Sequence, residues 1–266
     1  MTEYLLTPAD VLPAGPPRAD ADVEIAVIGQ LNLPDQTEET YGLLKRFTAV
    51  ALQTIDEAGA RIRFVDVTDD AEPDYAAIRA ADAIVVLGGG DVEGARYGHH
   101  GEVPNEYGVD PRSDERQLRV IGEAIDDDAA LLAICRGSQL LNVASGGTLI
   151  PDLDPSDLHR GGPGEPMFHD EEVLLEPGTR VAAIYPDRDR LVVRSGHHQA
   201  VDRVGDRLRV VARAHDGVVE GTERVDRTWI VGVQWHPEDD DGPADDRRAI
   251  FRAIVDEARR RRSDRG

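Results

Sequence analysis

The chain has 266 residues, and its 52 acidic and 30 basic side chains give a formal net charge of −22 at pH 7. This charge argues against a nucleic-acid-binding protein, which needs a basic surface, and against adsorption to anionic lipid. Hydrophobic residues make up 40% of the chain, and no apolar run reaches the roughly 18 residues that a membrane span needs. The length fits a single α/β domain with an ample core.

The first 22 residues contain acidic side chains and four prolines, without the basic and then apolar pattern of a secretory signal. We predict a surface lead-in over residues 1–22 and one domain over residues 23–262. Cys135 is the only cysteine, so no disulfide can form within the chain. Because a reactive thiol is best kept under reducing conditions, we expect a cytoplasmic location.

The first half of the domain alternates between short apolar runs and longer helical stretches. Such alternation is typical of a doubly wound, mostly parallel sheet with helices on both faces, as in flavodoxin-like α/β folds. Strands are predicted over residues 23–28, 62–67, 83–87 and 131–134, and helices over residues 39–58, 75–80, 114–125 and 137–144.

After Gly147 the pattern changes to short apolar runs separated by turns such as Asp216-Gly217. This pattern predicts antiparallel additions to the sheet, followed by one last helix. Residues 152–170 are rich in Gly, Pro and Asp and are predicted to form a loop that crosses near the functional site. The short strands are predicted over residues 173–175, 191–193, 208–212, 218–223 and 229–234, and the last helix over residues 244–260.

Cys135 lies where the predicted strand 131–134 meets the predicted helix 137–144. The N-terminus of a helix favours thiolate over thiol, and its free N–H groups can hold a developing oxyanion. The position therefore suggests a nucleophile. The alternative is that Cys135 is simply a small buried hydrophobic residue, as most lone cysteines are.

A matching base follows the apolar run near the end of the domain, in the sequence Gln234-Trp235-His236-Pro237-Glu238. Residues two apart in an extended segment face the same side, so Glu238 can reach one ring nitrogen of His236 while the other nitrogen faces Cys135. Pro237 restricts the backbone of this segment and so stiffens the spacing. Cys135, His236 and Glu238 are therefore a candidate triad; the alternative is a solvated turn that closes a strand.

The glycines Gly88-Gly89-Gly90 follow the predicted strand 83–87, so they lie at the same edge of the sheet as Cys135. They lack the lysine of a P-loop and the spacing of a dinucleotide fingerprint, which favours an oxyanion or substrate-approach turn. The pairs His99-His100 and His197-His198 do not predict a metal site. Adjacent strand residues point to opposite faces, and no cysteine or carboxylate spacing completes a zinc pattern.

Six short motifs follow one another along the chain: Gly88-Gly89-Gly90-Asp91, Ile134-Cys135-Arg136-Gly137-Ser138-Gln139, Gly146-Gly147-Thr148-Leu149, Ser195-Gly196-His197-His198-Gln199-Ala200-Val201, Asp216-Gly217-Val218-Val219-Glu220 and Gly232-Val233-Gln234-Trp235-His236-Pro237-Glu238. They occur in the order seen in class I glutamine amidotransferase-like proteins, and the resemblance runs from about Val23 to Glu238, most of the chain. The sequence most resembles the γ-glutamyl-γ-aminobutyrate hydrolase family, because of its paired histidines before Gln199 and the Arg-Gly-x-Gln after Cys135.

The resemblance implies a single-domain hydrolase that cleaves γ-glutamyl amides through a glutamyl thioester. The substrate would be γ-glutamyl-γ-aminobutyrate or a related polyamine-derived conjugate, and the products glutamate and the amine. Cys135 would be the nucleophile, His236 the general base and acid, and Glu238 the group that orients the imidazole. No metal or organic cofactor is implied.

The resemblance also implies an oxyanion hole and a pocket for the glutamyl group. Backbone N–H groups near Gly89 or Gly90, together with that of Arg136, would bind the oxyanion. The pocket for the α-amino and α-carboxylate groups would be lined by Gln139, His197, His198 and Gln199.

Two other functional hypotheses remain at this point. The first is a glutaminase subunit that delivers ammonia to a separate synthase, which predicts glutamine as the substrate. The second is a ligand-binding protein without catalysis, which the intact Cys135, His236 and Glu238 disfavour. The expected partner is a small-molecule γ-glutamyl substrate, with neither nucleic acid nor membrane, and a homo-oligomer is a further possibility.

Overall fold

The computed structural model describes residues 4–16, 18–162 and 164–265. Within them, eleven strands form one mixed sheet in the order β2-β1-β3-β4-β11-β10-β9-β6-β7, with β5 pairing β8 and β8 pairing β10 beside this path. The strands are β1 Glu24–Gly29, β2 Arg61–Asp66, β3 Ala83–Val86, β4 Leu131–Ile134, β5 Leu149–Ile150, β6 His169–Leu175, β7 Arg190–Ser195, β8 Ala200–Val201, β9 Leu208–Ala214, β10 Val219–Arg224 and β11 Ile230–Val233. The α-helices are α1 Glu38–Glu57, α2 Tyr75–Ala80, α3 Pro111–Asp126, α4 Arg136–Ala144, α5 Arg180–Ile184 and α6 Ala244–Arg265.

Five strands form the parallel centre of the sheet: β2, β1, β3, β4 and β11. All residues of β3, β4 and β11 are buried, as expected for parallel strands covered on both faces. The predicted doubly wound α/β fold is confirmed. The sequence prediction was wrong in placing residues 229–234 among the antiparallel additions, because β11 runs parallel to β4 and is antiparallel only to β10.

Helices cover both faces of this central sheet, and side chains alternate between two cores. Val27 of β1 packs in one core with Leu52 of α1 and Phe251 of α6. The next residue along the strand, Ile28, packs in the other core with Ile121 of α3. This two-residue period follows from the pleat of a strand, and it leaves the carboxyl edge of the parallel strands free for a site.

The second half of the domain extends the sheet with antiparallel strands. β10 pairs with β9, β9 with β6, and β6 with β7, all in antiparallel register. The prediction of antiparallel additions is confirmed for these four strands. The two-residue strands β5 and β8 and the short helix α5 were not predicted, since elements this short show no periodicity in the sequence.

The N-terminal segment is more than a surface lead-in. Leu6 and Val11 are almost fully buried in the same core as α1 and α6. The backbone of Leu6 is also held by the side chain of Asn32, which accepts from its N–H at 2.9 Å and donates to its carbonyl at 3.0 Å. Four residues of the predicted segment 1–22, namely residues 1–3 and 17, lie outside the described residues.

None of the helices in the described part of the chain combines the length and the apolar character that crossing a bilayer requires. Its longest helix, α6, carries acidic residues in its first turn and forms ion pairs along its length. Its residue Arg262 forms an ion pair with Asp82, the residue immediately before β3. The helix extends to Arg265, five residues beyond the predicted end at residue 260.

Candidate active site

Cys135 lies at a sharp turn between β4 and α4 and is 7% exposed. Its backbone has φ 48° and ψ −107°, a conformation that residues with a side chain rarely adopt. The turn is fixed on both sides, since the Cys135 N–H donates to the carbonyl of Val233 at 2.7 Å and its carbonyl accepts from Gln139 N–H at 3.1 Å. A Cβ at Gly137 would lie 2.6 Å from the carbonyl oxygen of Val86, so the turn requires glycine there. The turn has the strand-to-helix geometry of a nucleophile elbow.

His236 and Glu238 follow β11, the strand next to β4. Because β11 and β4 run parallel with Val233 opposite Ile134, the residues after both strands meet at the same edge. The Nδ1 of His236 lies 2.8 Å from a carboxylate oxygen of Glu238. The ring of Phe168 packs perpendicular to the imidazole, with the two ring centroids 4.9 Å apart.

The electrostatics of the site favour a charged imidazole. Burial by itself lowers the pKa of His236, but the charges of Cys135 and Glu238 and their hydrogen bonds to the ring outweigh this effect. The net result is a pKa of His236 well above its ordinary value. The surroundings of His236 thus favour the protonated form of its ring.

The two glycines proposed for the oxyanion hole differ in their hydrogen bonding. The N–H of Gly90 donates to the side-chain oxygen of Gln30 at 3.0 Å and is therefore already occupied. Within the described ranges, no acceptor takes the N–H of Gly89 or that of Arg136, the first residue of α4. The backbone N–H groups of Gly89 and Arg136 are thus free to bind an oxyanion. The N–H of Gly90, which was also predicted as a donor, is not free, because Gln30 already accepts from it.

The side chain of Arg136 does not point toward Cys135. It is 1% exposed and forms a buried ion pair with Asp114 of α3 and a hydrogen bond to Gln117. Asp114 also accepts from the N–H of Glu93 at 2.9 Å. Arg136 therefore offers the candidate site only its backbone, while its side chain fixes α4 to α3.

We expect Asp114→Asn to lower the free energy of unfolding by about 3 to 5 kcal/mol, because it leaves the guanidinium of Arg136 buried without a counter-charge. The matched control is Asp70→Asn. The carboxylate of Asp70 is fully exposed, and the substitution breaks its ion pair with Arg112. That change should cost less than about 1 kcal/mol. Urea denaturation followed by circular dichroism measures both values, and equal losses for the two variants would contradict the prediction.

Gln139 and Gln199 were expected to line the glutamyl pocket, but their side chains hydrogen-bond within the protein. The Gln139 amide donates to the carbonyl of Gln199 at 2.9 Å and to the side chain of Gln234 at 3.3 Å. The Gln199 amide pairs with the backbone of Val92 in both directions, at 3.0 and 3.3 Å. Both amides are buried supports beneath the site, and neither lines the cavity beside His236.

The two adjacent histidines are not among the residues that line that cavity. The ring of His198 is clamped between Asp152, at 2.8 Å, and Asp91, at 3.0 Å. Burial lowers its pKa, yet the contacts with Asp91 and Asp152 outweigh burial and raise the pKa of His198 above its ordinary value. His197 instead directs its Nε2 toward Glu220, 3.3 Å away. Their predicted role as lining of the glutamyl pocket stays a prediction, and in the structure both rings are held by buried carboxylates.

A cavity opens beside His236 and Glu238 and reaches the glycine turn at Gly88 and Gly89. Cys135 lies directly behind this turn, since a Cβ built on Gly88 would stand 3.5 Å from the Cβ of Cys135 and 2.8 Å from the imidazole. Only glycine at this position lets the three groups approach one another. The remaining lining is largely apolar and includes Leu33, Leu44, Phe47, Tyr107, Met167 and Phe168.

Two contributors to the site were missed by sequence reasoning. The amide of Gln234 donates to the Cys135 sulfur at 3.4 Å, and its place two residues before His236 was a signal that could have been used. Tyr107 lines the cavity, and its hydroxyl lies 3.5 Å from the carbonyl of Gly89. No pattern in the loop around Tyr107 singles it out, so only the fold could identify it.

The fold and this site define an α/β protein of the class I glutamine amidotransferase-like type, with a nucleophile elbow at the carboxyl edge of the sheet. Two solved structures share the fold. They are a glutamine amidotransferase from Thermotoga maritima, with TM-score 0.53 and 19% identity over 90% of this chain and 85% of that one, and the glutaminase domain of Trypanosoma brucei CTPS, with TM-score 0.57 and 16% identity over 90% and 94%.

The peptidase C26 family profile matches residues 25–238, and the chain belongs to that family. The γ-glutamyl-γ-aminobutyrate hydrolase PuuD of Escherichia coli is 38% identical over 149 residues, or 53% of this chain and 58% of PuuD. The protein Rv2859c of Mycobacterium tuberculosis is 38% identical over 179 residues, or 66% of this chain and 55% of that protein. The chain thus spans less than two thirds of the length of these relatives.

Proposed function

We propose that the protein hydrolyses γ-glutamyl amides through a glutamyl thioester on Cys135. The observation that carries the proposal is the position of this thiol, which lies at the N-terminus of α4 in a strained turn. It lies against the same glycine, Gly88, as an imidazole that Glu238 orients at 2.8 Å. The family assignment and the similarity to PuuD support a hydrolase of this kind.

In the acylation step, the Cys135 thiolate attacks the γ-carbonyl carbon and a C–S bond forms. The carbonyl oxygen becomes an oxyanion, for which the N–H groups of Gly89 and Arg136 are the available donors. The imidazolium of His236 gives its proton to the amide nitrogen, the C–N bond breaks, and the free amine leaves. Glu238 holds the ring in the orientation that this transfer requires.

In the deacylation step, the imidazole of His236 is neutral and acts as a base. It takes a proton from water, and the resulting hydroxide attacks the thioester carbon. The C–S bond breaks, glutamate leaves, and the thiolate and imidazolium are restored. The same two N–H donors hold the second oxyanion, so one arrangement serves both halves of the reaction.

The cavity beside His236 suggests where the amine half of the substrate lies. Its apolar walls, which include Phe47 and Phe168, suit the alkyl chain of an amine better than a free ammonia molecule. The guanidinium of Arg160 lies 5.3 Å from the centre of the Tyr107 ring, where it could meet a carboxylate at the end of that chain. The apolar walls favour a polyamine-derived conjugate in general, and the guanidinium favours, among such conjugates, γ-glutamyl-γ-aminobutyrate with its terminal carboxylate.

The test is a panel of γ-glutamyl amides incubated with the purified protein and with Cys135→Ser. The panel contains γ-glutamyl-γ-aminobutyrate, γ-glutamylputrescine and glutamine, and glutamate release is measured. We expect Cys135-dependent cleavage of the first two and feeble cleavage of glutamine. Turnover of glutamine alone would support instead a glutaminase that supplies ammonia to a synthase, and no cleavage dependent on Cys135 would overturn the proposal.

The same chemistry underlies our proposals on location and assembly. A solitary thiol on which the reaction depends requires reducing conditions, so we infer a cytoplasmic location. The proposed substrate is a small molecule, and the mechanism calls on neither a nucleic acid nor a membrane. A homo-oligomer remains a prediction, which light scattering of the purified protein would decide.

A further inference from the structure

A second group of ionisable side chains lies apart from the proposed triad, and we call it the His/Glu cluster. It consists of His159, Glu171, His197 and Glu220. All four are buried, with between 0% and 7% of each residue exposed. They come from four places in the chain: the 152–170 loop, β6, the turn between β7 and β8, and β10.

One nitrogen or oxygen atom from each member lies within 4.8 Å of the corresponding atoms of the others. His159 Nδ1 is 3.0 Å from a Glu171 oxygen and 3.6 Å from a Glu220 oxygen, and that oxygen is 3.3 Å from His197 Nε2. Four ligands arranged tetrahedrally around zinc, at its usual distance of about 2.0 to 2.2 Å, are about 3.4 Å apart. The cluster is thus already close to the spacing that such an ion requires.

The polar atoms of the His/Glu cluster lie close to one another, but none of these contacts is an aligned hydrogen bond. His159 Nδ1, His197 Nε2 and the four carboxylate oxygens of Glu171 and Glu220 form no aligned hydrogen bond with any residue that the structure describes. Burying such groups without a partner costs free energy, and most of all for carboxylates. Six buried atoms without an aligned hydrogen bond around one point form a set that a single cation would satisfy.

The other nitrogen of each ring is occupied. His159 Nε2 lies 3.0 Å from a carboxylate oxygen of Asp216, and His197 Nδ1 lies 2.9 Å from the carbonyl oxygen of Gln199. A carbonyl can only accept, so His197 Nδ1 carries a proton and donates it. Metal-binding histidines have this arrangement, in which an outer oxygen fixes the ring and leaves the inner lone pair facing the ion.

We propose that the His/Glu cluster binds one structural zinc ion through His159 Nδ1, His197 Nε2 and one carboxylate oxygen each from Glu171 and Glu220. Two imidazoles and two carboxylates suit zinc, and a buried set of four ligands is typical of a structural site. The two negative charges of the glutamates balance the dication. No metal was predicted from the sequence, because His197 was considered only together with its neighbour His198. The ligands proposed here are distant from one another in sequence, so no local pattern reveals them.

The ion would tie the 152–170 loop to the sheet beside the candidate active site. His159 belongs to this loop, and its carbonyl accepts from the N–H of His197 at 2.9 Å. Phe168, later in the same loop, contacts the His236 ring, and Gly196, the residue before His197, lines the cavity. We therefore expect metal to affect the order of this loop, whatever reaction the site performs.

The first test uses the full chain, purified without a histidine tag and dialysed against zinc, then passed through a desalting column. Elemental analysis should find about one zinc ion per chain, and dipicolinate or EDTA under mild heating should remove it. Readdition of zinc to the stripped protein should raise Tm by at least about 5 °C. Less than about 0.1 metal ion per chain together with an unchanged Tm would overturn the proposal and leave a proton-sharing network in its place.

The second test locates the ion with two pairs of variants. His197→Ala and Glu220→Gln each remove a proposed ligand and should lose the zinc and the zinc-dependent rise in Tm. His215→Ala removes a histidine whose side chain is 58% exposed, and Cys135→Ala removes the thiol; both should keep the ion. Zinc retained in the ligand variants, or lost from Cys135→Ala, would overturn the assignment even if the wild-type protein contains metal.

Discussion

Cys135→Ala is expected to lower kcat/KM for γ-glutamyl amides by about 10,000-fold or more, the loss typical of removing a covalent nucleophile. The variant keeps the oxyanion donors and His236 but cannot form a thioester. Its binding of substrate should change little, because alanine leaves the cavity walls in place. Steady-state kinetics with γ-glutamyl-γ-aminobutyrate measure the loss, and mass spectrometry of quenched wild-type protein should detect the glutamyl adduct on Cys135.

Cys135→Gly is the matched control, because it lacks the same sulfur but also lacks a Cβ. Its activity should be as low as that of Cys135→Ala. The free energy of unfolding of Cys135→Gly should be about 1 to 2 kcal/mol higher than that of Cys135→Ala, since glycine adopts the positive φ of 48° without strain. If either variant retained more than about one hundredth of the wild-type kcat/KM, Cys135 would not be the nucleophile.

His236→Ala should lower kcat/KM by about 1,000- to 10,000-fold, because it removes both the proton donor for the leaving amine and the partner of the thiolate. The two residues act as one unit, so their effects should not add. The double variant Cys135→Ala/His236→Ala should be no slower than the slower single variant. The same steady-state assay measures all three proteins.

A control for general histidine effects is His215→Ala, whose ring is exposed and pairs with Glu172 at 2.7 Å, away from the site. It should keep kcat/KM within about two-fold of wild type. Losses that multiply in the double variant would contradict the proposed mechanism, because they would mean that Cys135 and His236 contribute independently.

The parallel half of the fold was well predicted because each element carries its own pattern. β4 was placed at Leu131–Ile134 and α2 at Tyr75–Ala80, as found. β11 was misplaced because its apolar run indicates a buried strand without indicating the direction of its neighbours. The two-residue strands β5 and β8 depend on contacts between distant segments, which no local pattern reveals.

The candidate site was predicted unevenly for a similar reason. The positions of Cys135, His236 and Glu238 could be predicted because each residue follows the end of a strand and His236 and Glu238 are two residues apart. The structure places the three side chains close together. Gln139 and Gln199 lie close to the site as expected, yet the direction of a side-chain amide depends on its local partners. The members of the His/Glu cluster are separated by up to 61 residues, so only the folded sheet brings them together.

The position of β11 has a consequence for the biosynthesis of the protein. β4 and β11 are neighbours in the sheet, although about a hundred residues of chain separate them. While the chain is being translated, the edge of β4 stays unpaired on that side until Ile230–Val233 leaves the ribosome, and such edges invite aggregation. The insertion of β11 closes this edge and delivers His236 to Cys135 in the same event. Cys135 and His236 therefore come together only when the gap between β4 and β10 in the centre of the sheet has been filled.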